Sequence, residues 1–217
     1  TRRRALGGAI PRRRTDRRAF GATAVPDATL AALVAAARAE GTGLHLVRPE
    51  QVPTLAVATA QAAIVERKDP AYRLALAEWT GRPPGSGDGV PASTAVRPAP
   101  RRVPVRDFAP GGPAGLEVGE GDDQGAAYAV LYGPDDTVSA WLRAGEALSA
   151  VLLTAVAAGL AAAPMSDVLE VDEPRQVVRG LLPAGEPYLV LRFGVPVGRD
   201  ATPPTPRRRP DTVIRFT

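Results

Sequence analysis

TVSAWLRAGEALSAVLLTAVAAGLAAAPMS, residues 137 to 166, is the longest run of the chain without a strong breaker until Pro164, and its reading decides the fold. Val138, Trp141, Leu142, Leu148, Leu152, Val156 and Leu160 recur at spacings that keep one helical face apolar. Beyond Ala147 the remaining faces are also Ala, Val and Leu, which predicts a helix buried nearly all round. Asp136 or Thr137 can cap its start by accepting a free backbone N–H. Pro164 is expected to stop it, since proline lacks the donor and clashes with the preceding turn. At about 1.5 Å per residue, a helix of roughly 26 residues would run ~39 Å, the width of a small domain.

The alternative for Ala147–Ala163 is a membrane span. That needs about 18–20 strongly apolar residues. This run is shorter, holds Ser149 and Thr154, and owes much of its apolarity to alanine. No basic, apolar, small-residue leader opens the chain, so no secretory signal is expected. A core helix in a cytoplasmic protein is the expectation.

Outward from this helix, composition narrows the function classes. The 217 residues allow one large domain or two small ones, and 45 % are apolar, ordinary for a folded protein. The absence of cysteine excludes disulfide scaffolds and thiolate metal sites. The single histidine, His45, removes multi-histidine metal sites and argues against a Ser-His-Asp triad. It lies in Leu44-His45-Leu46-Val47, whose alternation predicts a solvent-facing strand residue. Lys68 is the sole lysine among 27 basic residues. The arginines concentrate at the ends, in Arg2–Arg4, Arg12–Arg18 and Arg207–Arg209. A guanidinium holds phosphate through two parallel hydrogen bonds. Basic ends therefore read as solvated tails, nucleic-acid arms or two halves of one phosphate site.

Along the chain, Thr15, Asp16 and Phe20 interrupt and anchor the first arginine run, which predicts a structured loop. A helix follows from Asp27, read as its cap, to Ala39, with Gly41 and Gly43 ending it. Leu44–Arg48 reads as a strand, and helices follow over Pro53–Glu66 and Tyr72–Trp79, broken at Asp69-Pro70. Residues 81–124 are rich in Pro and Gly and too long for an ordinary connection, so a lid-like excursion is expected. Ala127–Tyr132 and Tyr188–Phe193 read as strands, Glu173–Leu182 as a short helix, and Thr212–Phe216 as a β-like end. Asp122-Asp123 and Asp135-Asp136 sit in Gly/Pro contexts and read as solvated turns. Helices between strands indicate an α/β or α+β domain. No GxGxxG follows a strand, and neither GxxxxGK[ST] nor GxSxG occurs.

Three segments in this order resemble the nitroreductase family of FMN-binding flavoproteins. Arg13-Arg14-Thr15-Asp16-Arg17, followed by Phe20 and a Val-Pro-Asp, is similar to the family's N-terminal Arg-x-Ser/Thr-x-basic loop. The helix ending Ala158-Gly159-Leu160-Ala161-Ala162-Ala163-Pro164-Met165-Ser166 resembles the helix whose end lies against the flavin. Tyr188–Pro196 resembles the late strand ending Gly-x-Pro, with a basic tail behind it. Asp69-Pro70-Ala71-Tyr72, Trp79-Thr80, Asp88-Gly89-Val90-Pro91 and Arg106-Asp107-Phe108 are similar to the Acg-like branch. The resemblance covers most of residues 8–217.

It implies an α+β nitroreductase-like fold, a mixed central sheet flanked by helices around the long core helix, in a single domain over residues 1–217. It also implies FMN as cofactor. Arg13 and Arg14 would meet the phosphate, Thr15 a ribityl hydroxyl, and Arg17 the O2/N1 edge, where a positive charge stabilises the reduced ring. Arg207, Arg208 and Arg209 would complete the phosphate clamp. The turn at Pro164 would turn the backbone N–H groups of Met165 and Ser166 toward N5. The implied activity is hydride transfer from NAD(P)H to N5 and onward to a small-molecule acceptor, with no catalytic side chain and no metal. The family's flavin lies between two chains or two pseudo-repeats, so a homodimer or pairing with a missing N-terminal half is implied. The Acg-like branch also implies flavin storage beneath a lid, for which residues 81–124 are the candidate. Two other readings stand beside these: an arginine-rich nucleic-acid-binding module, and a catalytically silent partner of another flavoprotein chain.

Overall fold

The computed structural model describes residues 6–83, 85–110, 112–119, 121–196 and 202–215. Its centre is a sheet of four strands, β1 (Gly43–Leu46), β2 (Ala127–Gly133), β3 (Ala161–Met165) and β4 (Glu186–Gly194), in the spatial order β1-β2-β4-β3. Each neighbouring pair is antiparallel, with Leu44 opposite Leu131, Ala129 opposite Leu191 and Ala162 opposite Phe193. A parallel element is added at the edge, where Thr15 bridges Ala162.

Period-two alternation sorts the strands' side chains between two cores. Ala129, Leu131, Leu191 and Phe193 join helices α1 (Asp27–Ala39) and α4 (Val138–Ala157) through Leu33, Ala37, Val151 and Ala155. Tyr128, Val130 and Val190 point the other way. There they meet Leu55 and Ala58 of α2 (Val52–Lys68), Val168 of α5 (Asp167–Glu170) and Val178 of α6 (Asp172–Arg179). Helices thus cover both faces of the sheet, the expected α+β layering. Asp69 separates α2 from α3 (Pro70–Thr80) by accepting from Ala71 N at 2.8 Å, so the break expected at Asp69-Pro70 is a capped one.

The deciding stretch divides in a way its periodicity does not show. Thr137 caps α4, accepting from Ala140 N. The helix then stops at Ala157, well before Pro164. Gly159 takes φ +78°, its N–H bonds Val156 O, and Leu160 N bonds Ala155 O at 2.9 Å. That pair of bonds with a left-handed glycine is the Schellman stop. Residues 161–165 are therefore a strand, and Pro164 is accommodated there because β3 lies at the sheet edge. Nor is α4 buried all round. Its small face, Ala140, Ala144, Ala147, Val151 and Ala155, packs inward, while Val138, Trp141 and Leu142 are 74, 53 and 69 % exposed. By length and composition α4 is long and apolar enough to cross a membrane, but its inward face is a packed core surface.

Two smaller expectations also change. Pro26, not Asp27, occupies the cap position of α1, and Asp27 sits in the first turn, where its charge faces the helix's positive end. The tail forms a short helix, α7 (Pro210–Val213), in place of a β-like run; Phe216 lies outside the described residues, as do Arg2–Arg4. His45 is half-buried and bonds Gln51 Oε1 through Nε2 at 3.1 Å, a structural role.

Candidate active site at the sheet edge

The N-terminal arginine run is built into the fold. Asp16 N donates to Ala162 O at 3.0 Å, which lays residues 15–16 along the free edge of β3. Asp16 then folds back on Arg18, accepting its backbone N–H at 3.0 Å and a guanidinium N–H at 2.7 Å. Ala19 N bonds Val118 O at 2.8 Å, tying the far end of the long excursion onto the same loop. Phe20 and Asp123 exchange two bonds, Phe20 N to Asp123 Oδ1 at 2.8 Å and Asp123 N to Phe20 O at 2.9 Å.

Behind the loop sits a buried guanidinium, Arg192 of β4. Its Nη2 donates to Asp16 O and Arg18 O, both at 3.0 Å, so it grips the carbonyls on either side of Arg17. Its Nη1 donates to both carboxylate oxygens of Asp123 at 2.7 Å. Phe20 covers the group at 4.3 Å. Of the solvated turn expected at Asp122-Asp123, Asp122 is exposed, but Asp123 is fully buried with φ +70° and serves as an internal counter-ion. A left-handed non-glycine residue is uncommon and tolerable for Asp. Its two bonds with Phe20 and its ion pair with Arg192 hold it there.

The fixed loop directs Arg17 into a cavity of about 40 Å³. The floor is Ala163, Pro164, Met165, Ser166 and Asp167, and the roof is Val96, Val105, Arg106 and Phe108 from the excursion. Arg17 stacks on Phe108 at 4.2 Å and donates weakly to Thr94 O at 3.4 Å, while its buried Nε has no partner. Burial lowers its pKa, and Asp16 opposes that. Asp167 is 2 % exposed, with Oδ2 unpartnered; burial raises its pKa against the pull of Arg106. Arg106 bridges Glu66 at 3.0 Å and Glu170 at 2.8 Å. Farther along the loop, Arg13 has a lowered pKa, first from burial and then from the like charges of Arg207 and Arg14. Among the described residues no cluster of His, Asp and Glu is arranged to hold a metal ion.

A family model for the nitroreductase family matches residues 10–199, most of the chain. This chain belongs to the nitroreductase family. It is 41 % identical over 217 residues to a Mycobacterium tuberculosis (strain ATCC 25618 / H37Rv) protein named "Putative NAD(P)H nitroreductase Rv3131", covering 98 % of this chain and 62 % of that one. It is 33 % identical over 211 residues to the similarly named acg protein of the same strain, covering 95 % of this chain and 63 % of the relative. The chain thus spans less than two thirds of these relatives' length. Among solved structures, the FMN-dependent nitroreductase NfnB from Mycobacterium smegmatis in complex with NADPH superposes with TM-score 0.60 at 17 % identity, over 99 % of each chain. The FMN and NADPH-dependent nitroreductase NfnB from sphigopyxis sp. strain HMH gives 0.59 at 20 %, over 98 % of each. These two likenesses concern the fold.

Within this family fold, the expected site residues divide into groups. Arg17, Pro164, Met165 and Ser166 line one cavity, and Thr15 lies beside its floor strand. Arg13, Arg14 and Arg207 form a cationic group, in which Arg14 donates to the backbone of Pro11 and Arg13, and Arg207 to Thr205. Arg208 is engaged by Asp88 and Arg209 by Asp211, so these two are paired with the chain's own carboxylates. Arg192, Asp123 and Asp167 were not among the expected site residues. Arg192 and Asp123 are 69 positions apart and carry no local motif; Asp167, directly after Ser166, was the only one within reach of a local reading.

Proposed function

We propose that this nitroreductase-family chain is an FMN-binding oxidoreductase that takes reducing equivalents from NAD(P)H and delivers them to a small-molecule acceptor. The observation that carries the reading is the convergence of Arg17 with Met165 and Ser166, far from it in sequence, on one cavity. The donor set fits the cofactor. Arg13, Arg14 and Arg207 crowd like charges together, an arrangement that a phosphate would relieve. Thr15 offers a hydroxyl beside the floor strand, and the orphaned Nε of Arg17 is a buried donor. When bound, the flavin supplies two-electron hydride chemistry at its central ring. The chain's own part would be to orient the ring, to hold a positive charge at its pyrimidine edge through Arg17, and to shed water with Val96, Val105 and Phe108.

A second reading, flavin storage under a lid, is favoured by the size of the cavity. About 40 Å³ is room for a few waters at most. The roof over residues 96–108 must therefore lift to admit a ring system, and once closed it would exclude a second substrate. The proposal includes a partner subunit or second half, for which the exposed Val138, Trp141 and Leu142 on α4 are the supporting surface. A cytoplasmic location goes with the use of nicotinamide nucleotides. An internal use of the arginine loop counts against the nucleic-acid reading, since Arg17 and Arg18 are turned into the fold.

The test is an absorbance and fluorescence titration of purified protein with FMN, followed by anaerobic NADPH. FMN binding tighter than about 100 µM and bleaching by NADPH support the oxidoreductase. Bleaching by dithionite and not by NADPH moves the assignment to storage. Failure to retain FMN removes both.

A further inference from the structure

Behind the arginine loop the fold encloses one more guanidinium than it has carboxylates to match. Asp123 stands between Arg192 of β4 and Arg101 of the excursion, and all three side chains are wholly buried. Arg192 Nη1 donates to both oxygens of Asp123 at 2.7 Å, and Phe20 N donates to Oδ1 as well. Arg101 Nη1 is left 3.9 Å from Oδ2, beyond hydrogen-bond reach. Its Nε, Nη1 and Nη2 have no hydrogen-bond partner in the protein, and neither has Arg192 Nε. Tyr128 lies directly opposite Arg192 across β2 and β4, on the same face of the sheet, and its buried hydroxyl is also unpartnered. The next carboxylate along, Asp16, is engaged by Arg18. Arg101 is held here by its neighbours. Arg102 N donates to Asp122 O at 3.2 Å and Arg102 Nη1 to Gln124 O at 2.9 Å, while Val103 is packed into the core on Tyr128's side of the sheet.

We propose that Arg101, Arg192 and Tyr128 form an internal binding site for a single halide ion, with chloride the natural occupant. Charge sets the class of ligand. Two guanidinium groups share one carboxylate, so among the described residues one positive charge has no counter-charge, and a lone charge is not stable in a protein interior. Water would satisfy the donors and leave the charge. Tyr128 cannot supply the missing anion, because burial raises its pKa and keeps the hydroxyl protonated, a donor like the rest. The pKa of Arg101 is lowered first by burial and then by the like charge of Arg192, a repulsion that an anion beside both would cancel. Phosphate would bring more negative charge than there is to neutralise, and an organic carboxylate would need an opening for its body. A monatomic anion accepts from any direction, which suits N–H and O–H groups gathered from three separate elements. The ion would tie the excursion to two central strands. Arg192 reaches the cavity that holds Arg17, but Arg101 and Tyr128 do not line it, so the assignment does not depend on the flavin reading.

The test is thermal unfolding of the full chain as sodium chloride replaces sodium gluconate at constant ionic strength. A saturable rise in the midpoint of roughly 4 °C or more is expected, and it should be the same with and without added FMN. Arg101→Met removes the surplus charge and should abolish the response to chloride. Should that variant not fold, Tyr128→Phe, which deletes one donor to the ion, is expected to raise the half-saturating chloride concentration about tenfold. Crystals grown in sodium bromide should show an anomalous-scattering peak among the three side chains. A midpoint indifferent to chloride, a response that Arg101→Met retains, an unchanged half-saturation in Tyr128→Phe, or bromide at surface arginines alone, an adventitious ion only, overturns the proposal. So does a chloride response that FMN abolishes, which would move the ion into the flavin cavity.

Discussion

Arg192 and Asp123 form a fully buried ion pair, with one guanidinium nitrogen 2.7 Å from each carboxylate oxygen. The pair's second hand, Nη2, holds the backbone on both sides of Arg17. A residue of the central sheet thus sets the position of a loop residue at the candidate site, through a counter-ion supplied by the end of the long excursion.

Breaking that pair leaves a charge without its partner in the interior, which costs about 3–5 kcal/mol. Asp123→Ala and Arg192→Met are each expected to lower the midpoint of thermal unfolding by roughly 6–20 °C. The double variant Asp123→Leu with Arg192→Met should cost less than the sum of the two losses, although the buried Arg101, 3.9 Å from Asp123, keeps its charge there. Scanning calorimetry of the three variants decides this; simple additivity of the two losses would count against the pairing.

Gly159 ends α4 in the left-handed region, and a Cβ there meets nothing within 4 Å. Replacing it with Ala should therefore cost only the conformational penalty, about 1–2 kcal/mol. The urea midpoint of Gly159→Ala would show it. An unchanged midpoint would mean that the helix stop does not need the positive φ.

Asp167 is raised in pKa by burial. A carboxyl that binds its proton more tightly folded than unfolded contributes stability fully below its unfolded pKa, near 3.9. That contribution is lost as pH rises through the raised folded value. At neutral pH the ionised form is a burden, so Asp167→Asn is expected to be more stable than the parent there. The gap should close as pH falls toward the ordinary Asp range. Chemical denaturation at several pH values measures it; a gap that widens on acidification refutes the assignment.

The arginines proposed for phosphate contact are not equivalent. Arg13 stands among like charges, whereas Arg208 and Arg209 already hold Asp88 and Asp211. Arg13→Ala is expected to weaken FMN binding about tenfold or more, and Arg208→Ala and Arg209→Ala by no more than about twofold. Riboflavin, which lacks the phosphate, should bind all three alike. Fluorescence titrations with both flavins separate the phosphate contribution from the ring contribution.

Much of the layering was readable from local pattern. Alternation at Ala127–Tyr132 and Tyr188–Phe193 and the helical spacing of Leu30, Leu33, Val34 and Ala37 report which side of each element is apolar, and burial follows from that. The order Arg13-Arg14-Thr15-Asp16-Arg17, then the glycine-terminated helix, then the strand before Gly194 was enough to point to the family. The helix stop is not legible locally, because alanine favours the helix and Ala161–Ala163 become strand only by pairing with β4. Gly159 was the local signal, but nothing in the sequence outranked Pro164 as a breaker.

On the stretch at residues 137–166, the sequence by itself determined a capped helix, since Thr137 and the apolar spacing act within a few residues of each other. Only the tertiary structure decided that its last residues are an edge strand, because β4 supplies the hydrogen bonds and Thr15 lies on the other side. The same holds for Arg192 with Asp123, and for Arg17 meeting Met165. Contacts between residues so far apart depend on the packing of the whole chain, and no local periodicity encodes them.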